Sequence, residues 1–167
     1  MSYYIDFFRT EPAVGDPLTS LREYTVASQL ADSRSASPQP HVNPEDGYDD
    51  PVSLRMISED AVIGLFYSFH TNLNPVLALL DPTLHTPYYV RRRSKVLYTA
   101  ILAASCKFFN LASYKPVHDL AQRLVGRALA DGICTIEYIQ ALSIISYWRE
   151  PDDGSCWRKI GLGIRMA

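Results

Sequence analysis

The side chains able to do chemistry are few and widely spaced. The histidines are His41, His70, His85 and His118, and no two of them stand four residues apart beside a Glu, the helical spacing that lets two imidazoles hold zinc while a carboxylate works on its bound water. The pair His118-Asp119 has the residue types of an acid–base couple. Neighbours on a helix point in different directions, however, so it reads as a solvated helix start. The cysteines Cys106, Cys134 and Cys156 are odd in number and far apart, which indicates neither a disulfide framework nor a thiolate cluster. They read as reduced, buried thiols, with Cys134, just ahead of the helix cap Thr135, the one whose pKa a helix N-terminus would lower. The paired acids Asp49-Asp50 and Asp152-Asp153 fall in expected loops, whereas a metal-dependent helical lipid or terpenoid enzyme needs such a pair on a helix. No catalytic, cofactor-binding or metal-ligating residue is assigned, and the chain is not expected to be an enzyme.

The remaining candidates are charged and aromatic. Arg91-Arg92-Arg93 with Lys95 forms a dense basic run beside Tyr88 and Tyr89, a combination suited to phosphate contacts with stacking. It reads better as a solvated helix start that pairs with acids elsewhere, or that docks the acidic group Glu45, Asp46, Asp49 and Asp50 of the same chain. Overall charge favours that reading: the net charge is −2 over 167 residues, well short of a domain that grips a phosphate backbone alone. Phe66, Tyr67, Phe69, Tyr98, Phe108, Phe109, Tyr147 and Trp148 are equally suited to lining a pocket between helices and to forming a core.

The elements that would position these groups fall into two parts. Residues 1–57 hold six of the eleven prolines, the serines Ser33, Ser35 and Ser37, and nine acids against four arginines. Such a segment buries too little apolar surface to offset its ordering entropy, so it is expected to be a disordered acidic linker, with Leu18 to Leu30 a transient helix at most. From Ser58 onward the pattern is helical. Ser58 caps a first helix with Val62, Leu65, Phe66 and Phe69 on one face. Asn74-Pro75 opens a second that runs through Leu80 to the stop at Asp81-Pro82. Thr86-Pro87 opens a short turn, and Ser94 caps Lys95 to Phe109, with the small run Ala100, Ala103, Ala104 and Ser105. Pro116 opens a fourth helix that ends at Asp131-Gly132, and Thr135 caps a fifth, apolar on most sides and expected at the centre of the core. Ser155 caps a sixth that is still in mid-pattern at Ala167. The expected fold is an all-α, irregular multi-helix bundle over 58–167, truncated at its C-terminal end, with unpartnered apolar faces on the last three helices and a tendency to aggregate. No apolar stretch reaches the ~20 residues of a membrane span, and the first residues make a poor signal peptide.

Three stretches together resemble a known family. They are Phe69-His70 through Asn74-Pro75 to Leu84-His85-Thr86-Pro87; Leu97 to Ala104; and Trp157-Arg158 followed by Gly161, Gly163, Ile164, Arg165, Met166 and Ala167. In this order they are similar to the front part of the fungal-specific transcription factor domain, or middle homology region, of zinc binuclear cluster regulators. The resemblance implies a nuclear, all-α regulatory segment without catalysis, acting through protein partners, intramolecular contacts or a small-molecule effector. Zinc and DNA binding would belong to an upstream cluster that these residues do not include, so no residue here inherits them. The rival is a free-standing helical protein-interaction adaptor.

Overall fold

The computed structural model describes residues 43–151 and 153–166, and every described regular element is helical. His41 and the Leu18 to Leu30 segment lie outside the described residues. Helix α1 spans Glu59–Ser68 and runs directly into a π-helical turn, Phe69–Leu73, followed by α2, Asn74–Leu77. Then come α3, Pro87–Arg93; α4, Lys95–Phe109; α5, Leu111–Ala130; α6, Ile136–Tyr147; and α7, Cys156–Met166.

Local chemistry explains most of the boundaries. The hydroxyls of Ser58, Thr86, Ser94 and Thr135 accept from the backbone N–H of Ala61, Tyr89, Leu97 and Tyr138, so each satisfies a donor that its helix cannot. Gly132, at φ 72°, takes the left-handed conformation that closes α5. Two expectations fail. The second helix was expected to run to Leu80, but Ala78 turns left-handed at φ 49° and ends it. The cause is Asn74, whose amide grips both backbone groups of Leu80, donating to its carbonyl at 2.7 Å and accepting its N–H at 3.0 Å. Pro116 was expected to open a helix and instead lies inside α5, which starts at Leu111 behind an Asn110 cap. The extra turn is held from outside, because Tyr114 donates to Glu150 and the Lys107 ammonium lies 5.9 Å from the Tyr114 ring centroid.

The core is built around α4, not around the helix 136–147 expected there. Every residue from Val96 to Cys106 is buried, and α4 packs against α1, the π-helical turn, α3, α5 and α6. Ala100, Ala103, Ala104 and Ser105 let those neighbours approach closely. The Ser105 hydroxyl reaches the Leu65 carbonyl on α1 at 3.0 Å. Helix α6 buries Tyr138, Ala141, Leu142, Ile144 and Ile145 but leaves Ile136 and Tyr147 in solvent, so it is one wall of the bundle. Its Tyr138 hydroxyl donates to the Val125 carbonyl of α5 at 3.0 Å, and Lys107 donates to the Trp148 and Arg149 carbonyls at its C-terminus.

Residues 43–57, expected to belong to the linker, are packed onto the helices: Glu45, Tyr48, Asp50, Pro51 and Ile57 are all buried. The composition argument failed here because the segment joins the core through Tyr48 and Ile57, with Val52 and Met56 packed against it, and adds ion pairs and hydrogen bonds to the helices.

Candidate functional site

The densest concentration of charge lies where α3 meets α4. Ser94 is the single residue between them, extended at φ −151° and ψ 115°, so its N–H bonds Val90 at the end of α3 while its hydroxyl caps α4. Arg91, Arg92 and Arg93 were expected at a helix start. They occupy the last turn of α3, where the negative end of the helix dipole favours cations. Both faces of this break are polar: the α3 carbonyls need donors, and the first N–H groups of α4 need acceptors.

Residues 43–50 supply both. The Asn43 amide donates to the carbonyls of Arg92 and Arg93 at 2.8 and 3.0 Å. The Glu45 carboxylate, 2% exposed, accepts from the Ser94 hydroxyl at 2.9 Å and from the Val96 N–H at 3.0 Å. Asp50, fully buried, accepts a two-pronged contact from Arg91 at 3.2 Å and one from Lys95 at 2.9 Å, while the Ser53 and Val52 N–H groups bond its other side. Farther along, the Tyr48 hydroxyl donates to Asp131 at 2.8 Å, and Arg127 lies 4.4 Å from the Tyr48 ring centroid and donates to the Gly47 carbonyl. The segment is thus a strap over the α3–α4 break and the C-terminus of α5.

Electrostatics differ between the two buried acids. Burial pushes the Glu45 carboxyl above its usual range, against the pull of the Val96 N–H and the Ser94 hydroxyl. Burial acts the same way on Asp50, but the Ser53 N–H, Lys95 and Arg91 outweigh it and hold that carboxyl well below the usual carboxylate range. The remaining arginines are also engaged. Arg91 pairs with Glu59 at 2.7 Å, Arg93 with Glu137 at 2.7 Å, and Arg92 donates to Tyr88 at 2.8 Å. In the run that looked suited to phosphate, Arg91, Arg93 and Lys95 are therefore paired with carboxylates and Arg92 with a phenol. Asp46 and Asp49, named with Glu45 and Asp50 as docking acids, are exposed.

The other candidates separate. Phe66, Phe69 and Tyr98 are core, Phe108, Phe109 and Tyr147 are partly in solvent, and none lines the cleft between α6 and α7. That cleft, about 260 Å³ between α6 and α7, is walled by Leu142, Ser143, Ile160, Gly163 and Ile164, with Lys159 at its edge bound to Asp153 at 2.9 Å. His70 is buried with its Nε2 3.1 Å from the His85 carbonyl, and burial lowers its pKa. His118 and Asp119 stand 3.9 Å apart, mid-helix and not at a helix start, with the imidazole against the Tyr114 ring. Among the described residues no three His, Cys, Asp or Glu side chains converge on a metal position. Of the thiols expected to be buried, Cys106 is, but Cys134 is exposed, because it lies in the short connection between α5 and α6. Along α7, Trp157, Ile160 and Ile164 present an apolar edge, with Trp157 81% exposed. No described helix is long and apolar enough to cross a membrane. Sequence reasoning named the acids and cations of the strap site but missed Asn43, Tyr48 and Arg127. The signal was Asn43-Pro44 ahead of an acidic run, a turn-forming pair followed by residues able to face a helix break.

Comparison with known proteins gives one informative relative. The chain is 34% identical over 122 residues to Protein priB of Lentinula edodes, an alignment covering 72% of this chain and 19% of that protein. The chain thus spans about a fifth of the length of the curated relative it matches. No family model matches the chain, and no solved structure matches it.

Proposed function

We propose that this chain is a helical regulatory segment of a fungal zinc-cluster transcription factor, working in the nucleus through protein contacts or ligand-gated autoinhibition and without chemistry of its own. The observation that carries the reading is the resemblance of three stretches to the middle homology region. In the fold two of these stretches interlock. The π-helical turn packs on α2 and on α4, the helix that holds Leu97 to Ala104. The third forms α7, which packs on α6. A fungal relative at 34% identity agrees with that origin. The apolar edge of α7 supplies a surface for contacts with other polypeptide.

The test is a reporter assay in yeast. The whole chain is placed between a heterologous DNA-binding domain and an activation domain, beside a flexible insert of equal length. The regulatory reading expects at least a threefold change in reporter output relative to the flexible insert, abolished by Phe66→Ala, which empties the core. Equal output from chain, variant and flexible insert would remove the reading and favour an adaptor that works on other partners.

A further inference from the structure

The strap places carboxylates on a surface formed by α3, α4 and the residue between them. Beneath residues 43–50 lie the Arg91 guanidinium, the Lys95 ammonium, the Ser94 hydroxyl and the Val96 N–H, all on α3, α4 and the residue between them. Two acids five positions apart, Glu45 and Asp50, fill this set: one on the helix N-terminus, the other on the cation pair. The strap has no helix of its own in residues 43–58; over residues 43–50 its contacts with the helices are ionic and polar apart from the buried Tyr48 ring. We propose that the α3–α4 break is a docking cleft for acidic polypeptide, and that residues 43–50 are its resident autoinhibitory occupant, displaced when an acidic segment of a partner protein binds.

Three features support an exchangeable occupant. The cleft's donors belong to helices anchored elsewhere, since α4 is buried against four other helices and α3 is tied to α1 through Arg91–Glu59. Recognition is by charge and by backbone N–H, which reads any carboxylate at the right spacing and needs no particular side-chain shape. Finally, the turn that joins strap to α1 is compact, with Arg55 left-handed at φ 57°, so the strap is held at high effective concentration by a short tether. For a short tether that concentration is on the order of millimolar, so a free acidic peptide of micromolar affinity is held off by roughly 100-fold or more.

The experiment cuts the tether. A specific protease site is inserted at the exposed Leu54-Arg55 turn, the full chain is folded intact, and half is cleaved. A fluorescent peptide with the sequence of residues 43–54 is then titrated into cut and uncut protein. Uptake at least ~100-fold tighter by the cut chain is expected, with affinity falling between 50 and 500 mM salt by roughly a decade or more. The cut chain carrying Arg91→Gln and Lys95→Gln should lose the peptide. So should a peptide carrying Glu45→Gln and Asp50→Asn against unaltered cut protein. The proposal is overturned if cut and uncut chains bind alike, if a cut chain that stays helical takes up no peptide, or if the neutral peptide binds equally well. Unfolding on cleavage overturns it too, because a strap that the helices need in order to fold is not an exchangeable occupant. None of these outcomes bears on the reporter assay, so the two readings fail separately.

Discussion

Replacing Asp50 by Asn should unfasten the strap without changing its volume. The carboxylate accepts from the Val52 and Ser53 N–H groups at 3.0 Å, the Ser53 hydroxyl at 2.9 Å, Arg91 at 3.2 Å and Lys95 at 2.9 Å. An amide keeps one oxygen for the N–H pair but turns an NH₂ toward two cations. Breaking a buried charge pair from one side costs about 3–5 kcal/mol when the survivor is sealed in. Here Arg91 and Lys95 keep 29% and 24% of their side-chain surface, so water recovers part of the loss. The expected cost is about 2–3 kcal/mol, or a fall in Tm of roughly 5–10 °C, read by urea and thermal unfolding. The effect has a pH signature. The folded-state pKa of Asp50 is lowered, so its stabilisation is present above the unfolded value of about 3.9 and is lost as pH falls through the lower folded value. The gap between wild type and Asp50→Asn should therefore be flat from pH 5 to 8 and close below about pH 4. In an Arg91→Gln, Lys95→Gln background the substitution should cost at least ~1 kcal/mol less. A cost within ~0.5 kcal/mol of zero, or one unchanged in that background, would refute the ion-pair account.

Further perturbations test other joints. Tyr138→Phe removes the buried hydroxyl that donates to Val125 and should cost about 1–2 kcal/mol by urea unfolding, with the helical circular dichroism unchanged. Gly132→Ala forces a methyl-bearing residue to φ 72° and should cost about 1 kcal/mol, most simply read as a lower urea midpoint. Burial pushes the Cys106 thiol up to about 12, so in a Cys156→Ser background a thiol reagent at pH 8 should label the exposed Cys134 within minutes and Cys106 only on unfolding.

Helix positions were legible wherever a single side chain decides them. Ser58, Thr86, Ser94 and Thr135 are hydroxyls followed by helix-forming runs, and each caps the helix that its spacing implies. What eluded sequence reasoning depends on partners distant in the chain. Pro116 lies within a helix because Lys107 and Glu150, on other elements, hold the turn ahead of it. The centre of the bundle went to α4 and not α6 for a related reason. Mean apolarity favoured Ile136 to Trp148, whereas the deciding property is the small-residue run on α4 that admits neighbours on every side.

The strap shows the same limit in its sharpest form. Glu45, Asp46, Asp49 and Asp50 read as linker acids that could dock together on the basic run, yet only Glu45 and Asp50 are buried there, and Asp46 and Asp49 remain in water. Which acids are buried is set by the break between α3 and α4, an object that exists only after both helices form. Once Ser94 interrupts the backbone, two helix ends and two cations face one another across a single residue; the Asn43 amide supplies donors to the α3 carbonyls, and Glu45 and Asp50 supply acceptors to the α4 N-terminus and the cations. Burying Glu45 there raises its pKa, a cost that a merely structural cap such as Ser or Asn at the surface would avoid. What faces the strap at this break is a set of donors and cations, the Arg91 guanidinium, the Lys95 ammonium, the Ser94 hydroxyl and the Val96 N–H, and it is on that geometry that the docking proposal rests.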